Sequence, residues 1–288
     1  MAGLFAEPVG RDKIVSRIRA HPLGSQPAAQ RADFARLVLG EMADAAAAHT
    51  ASNLTFEGVN GAIVYFHGGG YIFGSPATHA RIGSGLAQRT GLHVVLAAYP
   101  LAPEHHWPAQ LEAAMKSVRD VTRDVSESVV LAGDSAGGHL ALVTALELAR
   151  QGKRVAGLVL FSPNTDRSGL STTRTRNDPC DPMVNDAADR QMARQCFGDM
   201  SLDSPQVSPL LDDLALLPPI YIEAGREEVL LGDSLMLACR AREAGIAVTL
   251  HVQPDGLHMG QLWAPWWPVA TASLDRAATF ARAAARSS

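Results

Sequence analysis

Six short stretches of the chain are apolar at most positions: residues 62–66, 93–98, 128–132, 155–161, 219–224 and 247–252. Runs of this length, with little alternation, predict strands covered on both faces, as in a parallel sheet flanked by helices. Between them, residues 80–90, 109–121, 137–151, 233–244 and 271–284 carry apolar side chains at helical spacing. The alternation of strand with helix predicts an α/β fold built on a largely parallel sheet. Two regions interrupt it. The first 50 residues look helical before any strand appears, with Ala-rich turns from Gln30 to His49. Residues 162–217 form a long insertion that opens polar and holds one helical pattern, 186–197. A connection this long is seldom structureless inside a compact domain. Residues 1–50 and 162–217 are therefore expected to form a two-part helical cap, lying over the strand ends of a core made of 51–161 and 218–288.

Composition narrows the class. With 288 residues, 47% hydrophobic and 19% charged, the chain can bury one substantial core, and disorder is excluded as its main state. A formal net charge of −4 gives no basis for wrapping a polyanion, so no nucleic-acid partner is expected. Cys180, Cys196 and Cys239 show no paired short spacing, and no His-x-x-x-His or His/Cys cluster has metal-ligand spacing. G-x-G-x-x-G is absent, which argues against a dinucleotide site. Neither a metal nor any other cofactor is expected. The first twenty residues intersperse Glu7, Arg11, Asp12, Lys13, Arg17 and Arg19 among apolar ones, unlike a signal peptide, and no apolar run reaches membrane-spanning length. A soluble cytoplasmic protein with no membrane partner is the expectation.

The chemistry lies in two motifs. Gly133-Asp134-Ser135-Ala136-Gly137-Gly138 follows the apolar run 128–132 and precedes a helical stretch. A G-x-S-x-G sequence in strand–turn–helix context is a nucleophile elbow, the sharp turn lifting the Ser135 hydroxyl above the sheet. Gly133 and Gly137 have no Cβ to clash where the backbone doubles back. The following helix aims its N-terminal N–H groups and positive dipole end at the reacting centre. The second motif, His67-Gly68-Gly69-Gly70-Tyr71, stands directly after the run 62–66. Consecutive glycines of this H-G-G-G type expose backbone N–H groups that bind a developing oxyanion. Removing one such donor from another enzyme costs about 2.7–4 kcal/mol.

With these motifs in place, the chain resembles the bacterial esterases of the hormone-sensitive-lipase-like branch of the α/β-hydrolases, from about Gly61 to His258. The resemblance is carried, in order, by His67–Tyr71, Tyr99-Pro100-Leu101-Ala102-Pro103-Glu104-His105, the serine elbow, and Ser162-Pro163 with Asp166. It continues through Asp181-Pro182-Met183, Ser208-Pro209-Leu210, Leu217-Pro218-Pro219 and Glu228-Val229-Leu230-Leu231. The arrangement is most similar to the small acetylesterases and monoterpene lactone hydrolases. It departs from the pattern at Pro100, where the family has Arg, and at His258-Met259-Gly260, where the family has H-G-F.

The resemblance implies a serine esterase acting on short-chain carboxylic esters, acetyl esters or lactones among them, through an acyl-enzyme, and it implies a homodimer. The same fold also serves non-catalytic small-ligand-binding proteins that lack a working histidine; the serine, glycine loop and downstream histidine here favour the enzyme. The triad order in this fold is serine, acid, histidine. Of two late histidines, His251 falls inside the predicted strand 247–252, whereas His258 follows the turn Pro254-Asp255-Gly256 and reaches the sheet edge where open α/β sheets place their sites. His258 is the expected base. By position alone Glu227, Glu228 and Asp233 all qualify as the acid. Aligning the family's D-P-L-x-D-E-G segment with the following helix kept in register selects Glu228. The resemblance assigns the oxyanion N–H groups to Gly69, Gly70 and Ala136, with Gly68 giving the loop room to approach and the donors among Gly68–Gly70 open by one position. Trp263, Trp266 and Trp267 either line the alcohol side of the pocket or anchor the last helix, with anchoring expected for at least two.

Overall fold

The structure, a computed structural model, describes residues 4–5, 7–43 and 52–287. Two helices come first, α1 (Arg11–Ala20) and α2 (Pro27–Leu39), the second started by a proline at its first position, where no N–H is needed. The Ala-rich stretch expected to be helical is so through Leu39, followed by a 3-10 turn at Gly40–Met42; its later part, residues 44–49, lies outside the described residues.

Seven strands then form one sheet: β1 (Leu54–Phe56), β2 (Ala62–Phe66), β3 (His93–Ala97), β4 (Val129–Asp134), β5 (Gly157–Phe161), β6 (Ile220–Gly225) and β7 (Val248–Gln253). Their order across the sheet is β1-β3-β2-β4-β5-β6-β7. All neighbours are parallel except β1, which pairs antiparallel with β3. Every residue of β2, β3, β4, β5 and β6 is buried, the consequence of helices on both faces. β1 was not expected from sequence. Three residues of an edge strand, each at most half-buried, leave no usable period.

The main crossover helices are α3 (Ala80–Thr90), α4 (Ala109–Asp124), α5 (Ala136–Arg150), α8 (Leu231–Glu243) and the closing α9 (Pro268–Arg286). α3 and α9 pack together, as do α4 and α5. Helix α5 is buried almost all round, so its apolar residues need no single stripe. The insertion between β5 and β6 builds the short helix α6 (Thr173–Arg176), α7 (Asp186–Phe197) and two 3-10 turns. Asn185 caps α7 by accepting the Ala188 N–H at 2.8 Å. The first part of the insertion is anchored in the core. Arg174 is buried and pairs with Asp189 of α7 (2.7 Å) and Asp233 of α8 (3.0 Å), while its guanidinium also reaches the Asn164 side chain (2.8 Å).

Candidate active site

The serine elbow takes its shape from the close approach of strand and helix. β4 runs to Asp134, two residues past the predicted end, and α5 starts at Ala136, leaving Ser135 alone between them. Ser135 adopts φ 53°, ψ −120°, a conformation that side-chain-bearing residues rarely take. Its N–H donates to the Phe161 carbonyl (2.9 Å), and its own carbonyl accepts from Asn164 N–H (3.1 Å). A Cβ on Gly133 would collide with the backbone of Gly137, and one on Gly137 with the carbonyls of Phe66 and His67. The expected need for glycine at both positions is thus a matter of space.

Asp134, the variable residue of the motif, is a hub. Fully buried, it accepts from Tyr65 Oη (2.7 Å) and from Gly68 N–H (3.1 Å), and lies 3.3 Å from His79 Nε2. Burial works to raise its pKa, but the charge and hydrogen bond of His79 and the Tyr65 hydroxyl outweigh that and hold the carboxyl below its ordinary value. Gly68 thereby commits its N–H to Asp134, and a Cβ there would meet the Asp134 carboxylate. Gly69 (φ 115°) and Gly70 (φ 60°) lie in the left-handed region that glycine enters freely. The Gly69 carbonyl closes the loop by accepting from Ile72 (2.9 Å) and Phe73 (3.0 Å). The N–H groups of Gly69, Gly70 and Ala136 have no partner among the described residues.

His258 and Glu228 meet at the ends of β6 and β7. Both are buried, and His258 Nδ1 lies 3.0 Å from Glu228 Oε2. Glu228 Oε1 accepts the N–H of Gly225, the last residue of β6, so both carboxylate oxygens are engaged. His258 Nε2 is buried with no partner among the described residues. Burial would lower the imidazole pKa. The hydrogen bond and charge of Glu228, with further help from Asp181 and Asp134, reverse this and keep it above the ordinary value.

Ser135, His258, Gly69 and Gly70 all face one cavity of about 350 Å³. Its walls include Leu23 from the loop between α1 and α2, Leu37 from α2, and Met183 and Met192 from the insertion. Both interrupting segments therefore shape the space above the serine. Met259, standing where the family pattern has glycine, takes a left-handed backbone (φ 55°) and also lines the cavity.

A family model described as the alpha/beta hydrolase fold matches residues 63–262. The chain belongs to that family. An esterase of Acinetobacter venetianus is 32% identical over 223 residues, 76% of this chain and 74% of its own length. An acetyl-hydrolase of Streptomyces hygroscopicus is 32% identical over 225 residues, 77% and 75% of the two chains. The solved structure of an esterase from the bacterial hormone-sensitive lipase family superposes with a TM-score of 0.85 at 29% identity, covering 96% of this chain and 98% of that one.

Within this α/β-hydrolase the competing residues fall elsewhere. Glu227 is half-exposed and pairs with Arg11 at 2.5 Å. Asp233 is buried at the start of α8, where its carboxylate holds Arg174 and the N–H groups of Thr165 (3.0 Å) and Asp166 (2.8 Å). His251 sits in β7 opposite Glu223, and the cavity wall does not include it. Trp263 and Trp267 are buried, Trp266 packs edge-on against Phe5 (5.7 Å) under the Arg81 guanidinium, and none of the three lines the cavity. At Pro100 the hydrolase lacks the pattern's arginine, yet a guanidinium still reaches this segment. Arg31 of α2 pairs with Glu104 (2.6 Å) and donates to the Ala102 carbonyl (2.9 Å). Among the described residues no helix is long and apolar enough to cross a membrane.

Sequence reasoning gave no role to Asp134, Asn177 or Asp181. Asp134 was visible only as the variable position of the elbow. The other two act on a turn some 50 residues away, which no local spacing records.

Proposed function

We propose that this ester hydrolase cleaves short-chain carboxylic esters through an acyl-enzyme formed on Ser135, with His258 as base and Glu228 as its orienting acid. Glu228 fixes the tautomer with the proton on Nδ1, leaving Nε2 with its lone pair toward the cavity. Nε2 takes the Ser135 proton as Oγ bonds to the ester carbonyl carbon. The carbonyl oxygen becomes an oxyanion, received by the N–H groups of Gly69, Gly70 and Ala136. Collapse of the tetrahedral intermediate breaks the bond to the alcohol oxygen, which leaves with the proton from Nε2. Water then repeats the sequence, releasing the acid and restoring Ser135.

One observation carries the assignment: a buried imidazole held at Nδ1 by a carboxylate, with Nε2 unpartnered on the cavity it shares with the serine and two glycines whose N–H groups are free. The non-catalytic binding reading lacks such support, since its mark is a missing histidine. Gly68, its N–H committed to Asp134, serves in this proposal as the residue that lets the loop approach. A cavity of about 350 Å³ is at the small end of ligand sites and suits short acyl groups. The test is a panel of p-nitrophenyl esters of increasing acyl length together with a lactone, alongside labelling by a fluorophosphonate. Absence of both turnover and labelling in folded protein refutes the proposal.

A further inference from the structure

The turn that carries Glu228 is held from outside by the insertion. Asn177 Nδ2 donates to the carbonyls of Glu228 (2.8 Å) and Arg226 (3.2 Å). Thr173 Oγ1 donates to the Val229 carbonyl (2.8 Å) and accepts from Gly232 N–H (2.8 Å). Asp181 does more. Its Oδ2 accepts the N–H of Val229 (3.0 Å), the residue next to Glu228, while its Oδ1 accepts the N–H groups of Met183 (2.9 Å) and Val184 (3.2 Å). Met183 and Val184 line the substrate cavity. One carboxylate therefore joins the acid turn to the wall against which substrate rests.

We propose that Asp181 is a positioning residue of the His258–Glu228 pair, fixing the acid turn to the cavity wall and placing a second carboxylate against the backbone of that turn. This rests on the esterase reading for its catalytic meaning. Three backbone N–H groups directed at its two oxygens favour the ionised form, against the burial that raises its pKa. The interaction runs in both directions. Burial raises the Asp181 pKa, the charge of His258 opposes that, and the charge of Glu228 adds to it; in turn Asp181 helps to keep His258 above its ordinary value. The charges bearing on His258 are Glu228 from the turn after β6, Asp181 from the insertion and Asp134 from the end of β4. Only Asp181 also holds the cavity wall.

A staple acts on His258 only by displacing Glu228, which either substitution would do, whereas the charge is lost in Asp181→Asn and kept in Asp181→Glu, and this separates the two roles. The experiment is an NMR titration of the His258 ring in wild type, Asp181→Asn and Asp181→Glu, with kcat and KM on p-nitrophenyl acetate measured in parallel. Asp181→Asn is expected to lower the His258 pKa by roughly half a unit or more. It should reduce kcat by about 10–10² through a displaced acid turn, with KM nearly unchanged. Asp181→Glu, which keeps the charge, should restore most of the titration shift. If Asp181→Asn does not fold, Asp181→Ser, a short uncharged acceptor, carries the same expectation. Superimposed titrations of the wild type and the uncharged variant overturn the inference, as does an equal shift in Asp181→Glu. The titration needs no turnover, so an inactive wild type refutes the esterase reading alone.

Discussion

Glu228→Gln exchanges one oxygen for an NH₂ group at a position where both oxygens accept. Oε1 takes the Gly225 N–H and Oε2 faces His258 Nδ1 at 3.0 Å. An amide can serve only one of them. If its oxygen stays on Gly225, the NH₂ faces Nδ1, which must then surrender its proton to Nε2. Nε2, the proposed base, then becomes a donor and cannot accept the serine proton. If the amide turns over, its NH₂ meets the Gly225 N–H and leaves a buried donor unpaired, at a cost of about 1–3 kcal/mol. Either way the charge that stabilises the imidazolium is gone. Loss of the correct tautomer in another serine hydrolase lowers kcat by about 10⁴, and 10³–10⁴ is expected here. That corresponds to about 4–5.5 kcal/mol of barrier. Because Glu228 does not line the cavity, the loss should fall on kcat rather than KM. The assay is steady-state hydrolysis of p-nitrophenyl acetate, with melting curves to confirm the fold. Two neighbours serve as controls. Glu227→Gln removes only a surface ion pair and should stay within about twofold of wild type. Asp233→Asn should lower the melting temperature, since it weakens a buried pair with Arg174, and should spare far more activity than Glu228→Gln. Near-wild-type turnover by Glu228→Gln, with either control crippled, would refute the reasoning.

Ser135→Ala should abolish turnover, by about 10⁶ on the precedent of another serine hydrolase, with an unchanged fold; a fluorophosphonate should label wild type at Ser135 and not the variant. His258 must be neutral to accept the serine proton, and its pKa is held above the ordinary value by Glu228 despite burial. Hence kcat/KM should be complete at higher pH and fall as pH drops through that raised value; an acid limb centred below about 6.5, the ordinary imidazole value, would contradict this. Acyl chains from acetyl to about hexanoyl should outperform longer ones, and Met192→Ala, by opening the cavity wall, should move the optimum toward longer chains. Faster hydrolysis of emulsified long-chain triglycerides than of soluble short esters would count against that account.

What could be read from the sequence follows from where the physical constraint is local. The central strands are legible because full burial forces continuous apolar runs, and the elbow because two glycines must stand at fixed offsets from Ser135. His258 could be placed from the turn before it. Glu228 was separable from Glu227 and Asp233 only by family register, since three acids in seven residues look alike until one meets an imidazole and another an arginine. β1 escaped because three edge residues show no period. The partners of Asp134 and Asp181 escaped for a different reason. A carboxylate that binds a backbone N–H 48 or 66 residues away leaves no mark on the spacing of side chains.

Ser135 holds a backbone shape that typically costs about 1–3 kcal/mol and persists only because its surroundings enforce it. A glycine at that position would take the same shape without steric strain, at a smaller cost in chain entropy of about 0.5–1 kcal/mol. The most stable form of this elbow is thus one that has lost its proposed nucleophile. Any campaign to toughen the protein that ranks variants by heat resistance alone would favour such a loss. The reactive hydroxyl survives only where turnover itself is part of the selection.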